Sequence, residues 1–458
     1  MGRVFDRKLN KHIQETAEQG TFEPTFRRLL GFVEDAKTGR ETFDASKKEI
    51  DIRDLSLQEA AMVCFGSTWK EDVDPRNFKR WSAFHESQLQ EAGIPFVPPS
   101  QLLHISTYSG LIGGLVDAAI WEGYNNPLLV GDEFVDVRET KYWQAGQKVI
   151  GAVNTGEVSR DLGDNEPYPY VGMDETWITL PKQFRNGAMI AVVQQDVIGD
   201  LTGKVIEKAN NAGFAIKRKR DLRIADIVMG INNNSYIRDD QAYKTYQLTA
   251  DTTVGAKGRS NGNYINQLAS NDLVDWTQLN AAEILLTSQK DPASGFSIPI
   301  DMTKLVMLVS PAKRAIAQLV ANLTTVWQNR TPPAAGGDEY ADRIAQHSYP
   351  LAANYRVVYS WEWYRRLLGT STGGPDYDPA YLVNPPTDSA SEGQAYWWVG
   401  QPQKAFRYNQ YWPFGVEAVP LSEAAAQQDV VHISRAREAG NCSVVEPRFM
   451  VECNGTVA

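Results

Sequence analysis

Three stretches of this 458-residue chain carry residue types that could do chemistry. The first is VIGDLTGKVIEKANNAGF (197–214), which follows the apolar run MIAVVQQ. Strand, glycine turn, Gly-Lys and helix is the order of a phosphate-binding loop. That loop needs G-x-x-x-x-G-K-[ST], so that backbone N–H groups wrap the phosphates and a hydroxyl reaches the metal. Gly199 and Gly203 have only three residues between them, and Val205 stands in the hydroxyl position. The stretch reads as a turn leading into a helix. The second is Gly369-Thr370-Ser371-Thr372-Gly373, a match to G-x-S-x-G. A nucleophile elbow needs a strand before it and a helix directly after it. GPDYDPAYLVNPP follows instead, which predicts a surface loop. A hydrolase using Ser371 stays open as an alternative. The third is the basic run Lys217-Arg218-Lys219-Arg220, followed at once by Asp221 inside a helical pattern. A nucleic-acid patch is one reading. In a chain of net charge −10, a solvated helix face or an intersubunit salt-bridge strip is preferred.

His12, His85, His104, His347 and His432 show no metal or base spacing, and each reads as a satisfied or solvent-facing side chain. Cys64, Cys442 and Cys453 are too few and too far apart for a disulfide framework or a CxxC metal site. No catalytic, cofactor-binding or metal-ligating residue is assigned, and no cofactor is expected. No apolar stretch is long enough to span a bilayer, and MGRVFDRKLNKHIQE lacks the apolar core of a secretory signal. The acidic balance argues against a protein that grips nucleic acid over a basic face. Twelve Trp and nineteen Tyr supply core material, and also the aromatics enriched at protein–protein contacts.

The elements that would position these residues follow from periodicity. Residues 1 to about 100 hold short helical patterns that need something else to pack on. LIGGLVDAAIWEGY reads as helical. From 131 to 190 two strand arms surround the polar loop EVSRDLGDNEPYPY, a long hairpin with little core of its own. Ile198, Leu201, Val205, Ala209 and Ala212 form one apolar stripe, resumed at Leu222, Ala225 and Val228 and closed by Gly230. If Gly213 is tolerated inside, Asp196 to Met229 is a single long helix. VDWTQLNAAEILLTSQKD predicts an amphipathic helix and KLVMLVS a strand. Ser310 and Pro311 then open the helix AKRAIAQLVANL as N-cap and first helical residue. YRVVYSWEW (355–363), QAYWWVGQP and KAFRYNQYW read as strands. DVVHISRAREAGNCSVVEPRFMVECN reads as two or three strands with a turn at Glu438-Ala439-Gly440.

This order resembles the major capsid proteins of tailed bacteriophages with the Hong Kong 97-like fold. AMIAVVQQDVIGDLTGKVIEKANNAG…LRIADIVMG is similar to that family's spine helix and lead-in strand. WTQLNAAEILLTSQKD…GFSIPIDMTKLVMLVSPAKRAIAQLVANL is similar to its helix, strand and helix run, and DVVHISRAREAGNCSVVEPRFMVECN to its closing strands. The likeness covers roughly residues 130 to 458. It implies an α+β fold with a long spine helix, an extended hairpin loop, axial and peripheral domains and a long N-terminal arm. The implied divisions are 1–130 arm, 131–195 extended loop and lead-in strand, 196–300 first part of the peripheral domain, 301–420 axial domain and 421–458 returning strands. The implied function is a shell subunit that assembles with copies of itself into hexamers and pentamers around double-stranded DNA, which it does not read by sequence. Portal protein, and scaffold or decoration proteins, would be its other partners; no membrane is implied. The place would be the virion capsid, assembled in the bacterial host cytoplasm. A bacterial encapsulin-type nanocompartment shell is the alternative within the same fold. The arm is expected to be retained and to clasp neighbouring subunits. Lys148 and Lys182 lie in the extended loop, where part of the family cross-links lysine to asparagine; here they read as solvated.

Overall fold

The structure is a computed structural model and describes residues 27–28, 30–34, 41–48, 106–143, 146–150, 177–193, 204–231, 234–238, 240–249, 251–254, 260–262, 264–290, 297–322, 325–328, 345–348, 355–369, 395–420 and 430–454. The opening residues of the glycine turn (194–203), the hairpin tip at 151–176, Ser371, His12, His85, His104 and Cys64 lie outside the described residues.

In chain order, strands β1 (Phe32–Glu34) and β2 (Glu41–Phe43) precede helix α1 (Ser106–Tyr124). Strands β3 (Asp136–Glu139), β4 (Lys148–Ile150), β5 (Trp177–Thr179) and β6 (Phe184–Val193) lead to the 25-residue helix α2 (Lys204–Val228). Short strands β7 (Tyr236–Arg238), β8 (Gln241–Tyr243), β9 (Asp251–Val254), β10 (Ser260–Gly262) and β11 (Gln267–Ala269) follow. Then come helix α3 (Trp276–Thr287), strand β12 (Leu305–Val309), helix α4 (Arg314–Ala321), strands β13 (Thr325–Gln328), β14 (Ala345–Ser348) and β15 (Tyr355–Tyr359), and helix α5 (Trp361–Gly369). Strand β16 (Trp397–Gly400), the helical turn α6 (Pro402–Ala405), and strands β17 (Phe406–Ala418), β18 (Val430–Val444) and β19 (Met450–Asn454) close the chain. The fold is α+β. It divides into two compact units, each made of three stretches of chain: 1–127, 185–219 and 412–439 in the first, 128–184, 220–411 and 440–458 in the second.

In the first unit, α1 crosses the front of α2 at two glycines. A Cβ on Gly213 would stand 1.9 Å from the Ile120 carbonyl oxygen, and one on Gly123 would stand 1.9 Å from that of Asn210. Each helix is therefore notched where the other's backbone passes. This explains why Gly213 survives mid-helix, where it costs about 1 kcal/mol against alanine. Leu115, Val116, Ala119 and Ile120 of α1 and Ala209 and Ile216 of α2 are buried. Tyr124 stacks on Phe414 with ring centroids 3.7 Å apart. The unit's three-stranded sheet runs in the order β17 (from 412), β18 (to 439), β6 (from 185), which leaves β6 at an edge.

In the second unit, a five-stranded mixed sheet has the order β11-β19-β16-β12-β15. Its two faces feed two cores. Leu305, Met307 and Val309 of β12 join Trp397, Val399, Val451 and Cys453 against the apolar sides of α3 and α4. Leu308, Trp398 and Met450 join Ile224 and Val228 of α2, Trp363 of α5 and Phe406 on the other face. A strand buried on both faces reads as a continuous apolar run, which is the character of LVMLV. An antiparallel sheet β4-β5-β7-β8 carries the hairpin base, with Val149 opposite Ile178.

The expected long helix is present over Lys204–Val228, about 37 Å at 1.5 Å per residue. Gly230 ends it in the left-handed region at φ 70. Three expectations are corrected. The segment 355–363 is not one strand: after Tyr359 the chain turns into α5, because Trp363, Arg366 and Leu367 recur at helical spacing and are buried together. Ser310 has N-cap geometry but makes no side-chain cap; a 3₁₀ turn, Pro311–Lys313, opens the run before α4. No turn exists at Glu438-Ala439-Gly440, since β18 runs through it for 15 residues. Gly440 is there for space: a Cβ would meet the Tyr408 ring at 2.5 Å.

Candidate assembly surface

The basic run on α2 is solvated only in part: Lys219 is exposed and Arg218 half-buried, but its two ends are buried. Lys217 is buried and its ammonium lies 4.8 Å from the centre of the Tyr124 ring. Arg220 is buried, pairs with Asp132 at 2.6 Å and covers the Tyr408 ring at 4.1 Å. The aromatic faces and the carboxylate compensate cations that the sequence pattern places on a surface. Asp221 accepts from the Gly131 N–H and from Trp363 Nε1. The buried cations at the two ends of the run are thus engaged by rings and a carboxylate.

Among the described residues no group of three or more His, Cys, Asp or Glu side chains could hold a metal ion. Burial pushes the Cys442 thiol up to about 12 and the Cys453 thiol higher, so neither is a reactive thiolate. An open groove of about 460 Å³ is lined by Glu133, Asp301, Lys304, Arg356 and Lys404, among others. Its carboxylates are engaged. Glu133 pairs with Arg356 at 2.6 Å, and Asp301 accepts from the Thr303 hydroxyl and backbone N–H, which hold its carboxyl below the usual range.

One polar constellation was not legible in the sequence. Ser434 Oγ donates to Asp117 at 2.7 Å and lies 2.9 Å from His432 Nε2, while Arg27 reaches Asp117 at 3.5 Å. Serine, histidine and aspartate are the residue types of an acyl-transfer triad, in which histidine must stand between the other two. Here serine stands in the middle. Its proton goes to the carboxylate and His432 Nε2 is left to donate to it. Asp117, Ser434 and His432 are all buried, so no substrate reaches the hydroxyl. Burial raises the Asp117 carboxyl and lowers the His432 imidazole. A sequence separation of 317 residues between Asp117 and Ser434 hides the group. His347 lies on β14.

The surface offers contacts of another kind. Lys148 and Asp240 pair at 2.8 Å at the hairpin base, and Thr179 also donates to Asp240. The backbone carbonyl of Lys182 accepts from Asn441. Within 146–150 and 177–179, Ile178 is the buried side chain among those described. Large apolar side chains face solvent at Met189 on the edge strand β6 of the first unit. In the second unit Leu128, Val274, Ile284, Leu319 and Trp361 do the same, each at 60% exposure or more.

No protein-family model matches the chain, and no curated protein matches it. Solved structures do. The chain is similar to the capsid of the cyanophage P-SCSP1u, at 11% identity and a TM-score of 0.41 over 71% of this chain and 87% of that one. It is similar to the mature capsid of bacteriophage PhiM1, at 12% identity and 0.39 over 71% and 86%. It is also similar to the virus-like particle from Pyrococcus furiosus, at 10% identity and 0.32 over 74% and 97%.

Proposed function

We propose that this chain is a shell subunit, the major capsid protein of a tailed bacteriophage, with the Hong Kong 97-like fold that its order of elements resembles. The observation that carries the reading is the hairpin β4–β5 with a single buried side chain among those described, joined through β6 to a 25-residue helix that runs through both units. Strand β4 is the edge of its four-stranded sheet, and an edge with little buried surface of its own gains stability by lying on a partner. In this reading the exposed side chains of Met189, Leu319 and Trp361 lie at contacts between copies of the chain.

In this reading copies of the chain form hexamers and pentamers through heterologous contacts, which close rings. Residues 131–195 form the extended loop, 196–300 and 421–458 the peripheral domain, and 301–420 the axial domain. Residues 1–130 form an arm that clasps neighbours. Portal protein, with scaffold or decoration proteins, complete the particle in the host cytoplasm. The acidic balance of the chain keeps packaged DNA, which is not read by sequence, from sticking to the wall.

Negative-stain electron microscopy of the purified protein, beside size-exclusion chromatography, tests this. Closed shells, or rings of five and six subunits, are expected. A homogeneous monomer or dimer that does not assemble at raised concentration would sink the reading. Shells that enclose an enzyme in place of DNA would move it to a nanocompartment.

A further inference from the structure

The edge of a sheet presents a row of unpaired N–H and C=O groups, a template for another strand unless something blunts it. Other edges of this fold are blunted. Strand β11 is three residues long, β15 carries Arg356 and β4 opens on Lys148. In the first unit's sheet the β17 edge carries Pro413 and Glu417. The opposite edge of that sheet is β6. After Arg185 this ten-residue strand reads NGAMIAVV, with no charge and no proline.

The side chains of β6 alternate. Arg185, Gly187, Met189 and Ala191 are exposed, Met189 at 64%. Asn186, Ala188 and Ile190 are half-buried and Val192 is buried. The face that carries Val192 is therefore only half-covered at Ala188 and Ile190, where the sheet ends.

A second β6 completes this edge. In an antiparallel pair, residues directly opposite one another project to the same face of the sheet. With Met189 opposite the partner's Met189, the whole stretch 185–193 is paired. Ala188 then stands opposite the partner's Ile190, so the half-covered face gains apolar neighbours. Gly187 stands opposite the partner's Ala191, and these small residues leave room for two Met side chains between them. The strand's one charge, Arg185, meets the partner's Val193, so like charges do not face each other. A slip of one residue would set the exposed face of one strand against the inner face of the other. The antiparallel pair also closes on itself, because both copies use the same edge.

We propose that two copies of the chain join through β6, antiparallel and about a two-fold axis at Met189, so that the first unit's sheet continues from one copy into the other. The contact needs two copies only and stands whether or not they belong to a closed shell.

Cysteine cross-linking on the full chain reads the register. Cys442 and Cys453 are buried, so a Cys64→Ser background leaves the introduced thiol as the accessible one among the described residues. Oxidised glutathione is the oxidant, and linked dimer is followed on non-reducing gels. In the proposed pair the two residues at 189 face each other, within the Cα separation of about 7 Å that a disulfide can span. The two residues at 191 lie four positions apart, about 13 Å along the strands. Met189→Cys should therefore give linked dimer about tenfold faster than Ala191→Cys. Met189→Lys places like charges at the axis, and should raise amide exchange over 186–192 about tenfold, toward that of an open edge. Linking that is absent or no faster in Met189→Cys than in Ala191→Cys, or unchanged exchange in Met189→Lys, would overturn the pair. Rings or shells without the Met189→Cys link would reject the β6 pair alone. A linked dimer that builds neither would reject the shell and keep the pair.

Discussion

Two side-chain positions show how small a group decides this fold. Gly213→Ala would gain about 1 kcal/mol of helix propensity. The new Cβ would stand 1.9 Å from a backbone carbonyl oxygen that belongs to another helix and cannot rotate away. The clash wins, because overpacking that moves backbone costs about 1–3 kcal/mol or more. The expected outcome is a lower urea midpoint for Gly213→Ala, and a midpoint at or above the unaltered protein's would refute the close crossing. Glu446 is the second position. It pairs with Arg448 at 2.9 Å, with both side chains nearly sealed from solvent. The buried Arg238 also acts on the same surroundings: Tyr236, pushed up to about 12 chiefly by burial, feels Glu446, Arg238 and Arg448 together. Glu446→Gln removes the carboxylate and leaves the guanidinium charges. A loss of about 3–5 kcal/mol in equilibrium unfolding is expected, as for other broken buried pairs.

At the scale of elements, legibility tracked how local the deciding interaction is. Helix α3 was readable from its apolar spacing, and its start is also fixed locally: Asp275 accepts from the Thr277 N–H, and Gln278 reaches back to the Asp275 N–H, a capping box. Asp275→Ala should therefore cost about 1 kcal/mol. The loss should appear as faster amide exchange in the first turn of α3, with α2 unchanged. Strand β12 was readable from its apolar run, and the end of α2 from Gly230. Helix α5 was not, since the aromatic alternation of YSWEWY is that of a strand. The helix is favoured by pairs far along the chain, Arg366 with Asp226 at 2.7 Å and Trp363 with Asp221. Gly440 misled for the same reason. A glycine in a polar stretch reads as a turn, whereas the ring it makes room for, Tyr408, is distant in sequence. The basic run misled because the aromatic faces that bury Lys217 and Arg220 come from Tyr124 and Tyr408. The Arg27, Asp117, Ser434 and His432 cluster spans almost the whole chain and had no local signal at all.

The whole molecule carries its stability as a function of pH, and one carboxyl gives that function a definite sign. Glu283 sits on α3 at 5% exposure, and one of its carboxylate oxygens is buried without a hydrogen-bond partner. Burial alone pushes its carboxyl up to about 7. In the unfolded chain the group ionises near its ordinary value of 4.5. Below that value both states hold the proton and Glu283 contributes no pH dependence. Between about 4.5 and about 7 the folded state keeps a proton that the unfolded state has released. Unfolding then becomes easier as pH rises, with a slope of at most about 1.4 kcal/mol per pH unit. Above about 7 the folded protein ionises too and the slope flattens. Glu283→Gln keeps the shape and removes the titration. Its unfolding midpoint is expected to exceed that of the unaltered protein at about pH 8 and to converge with it near about pH 4.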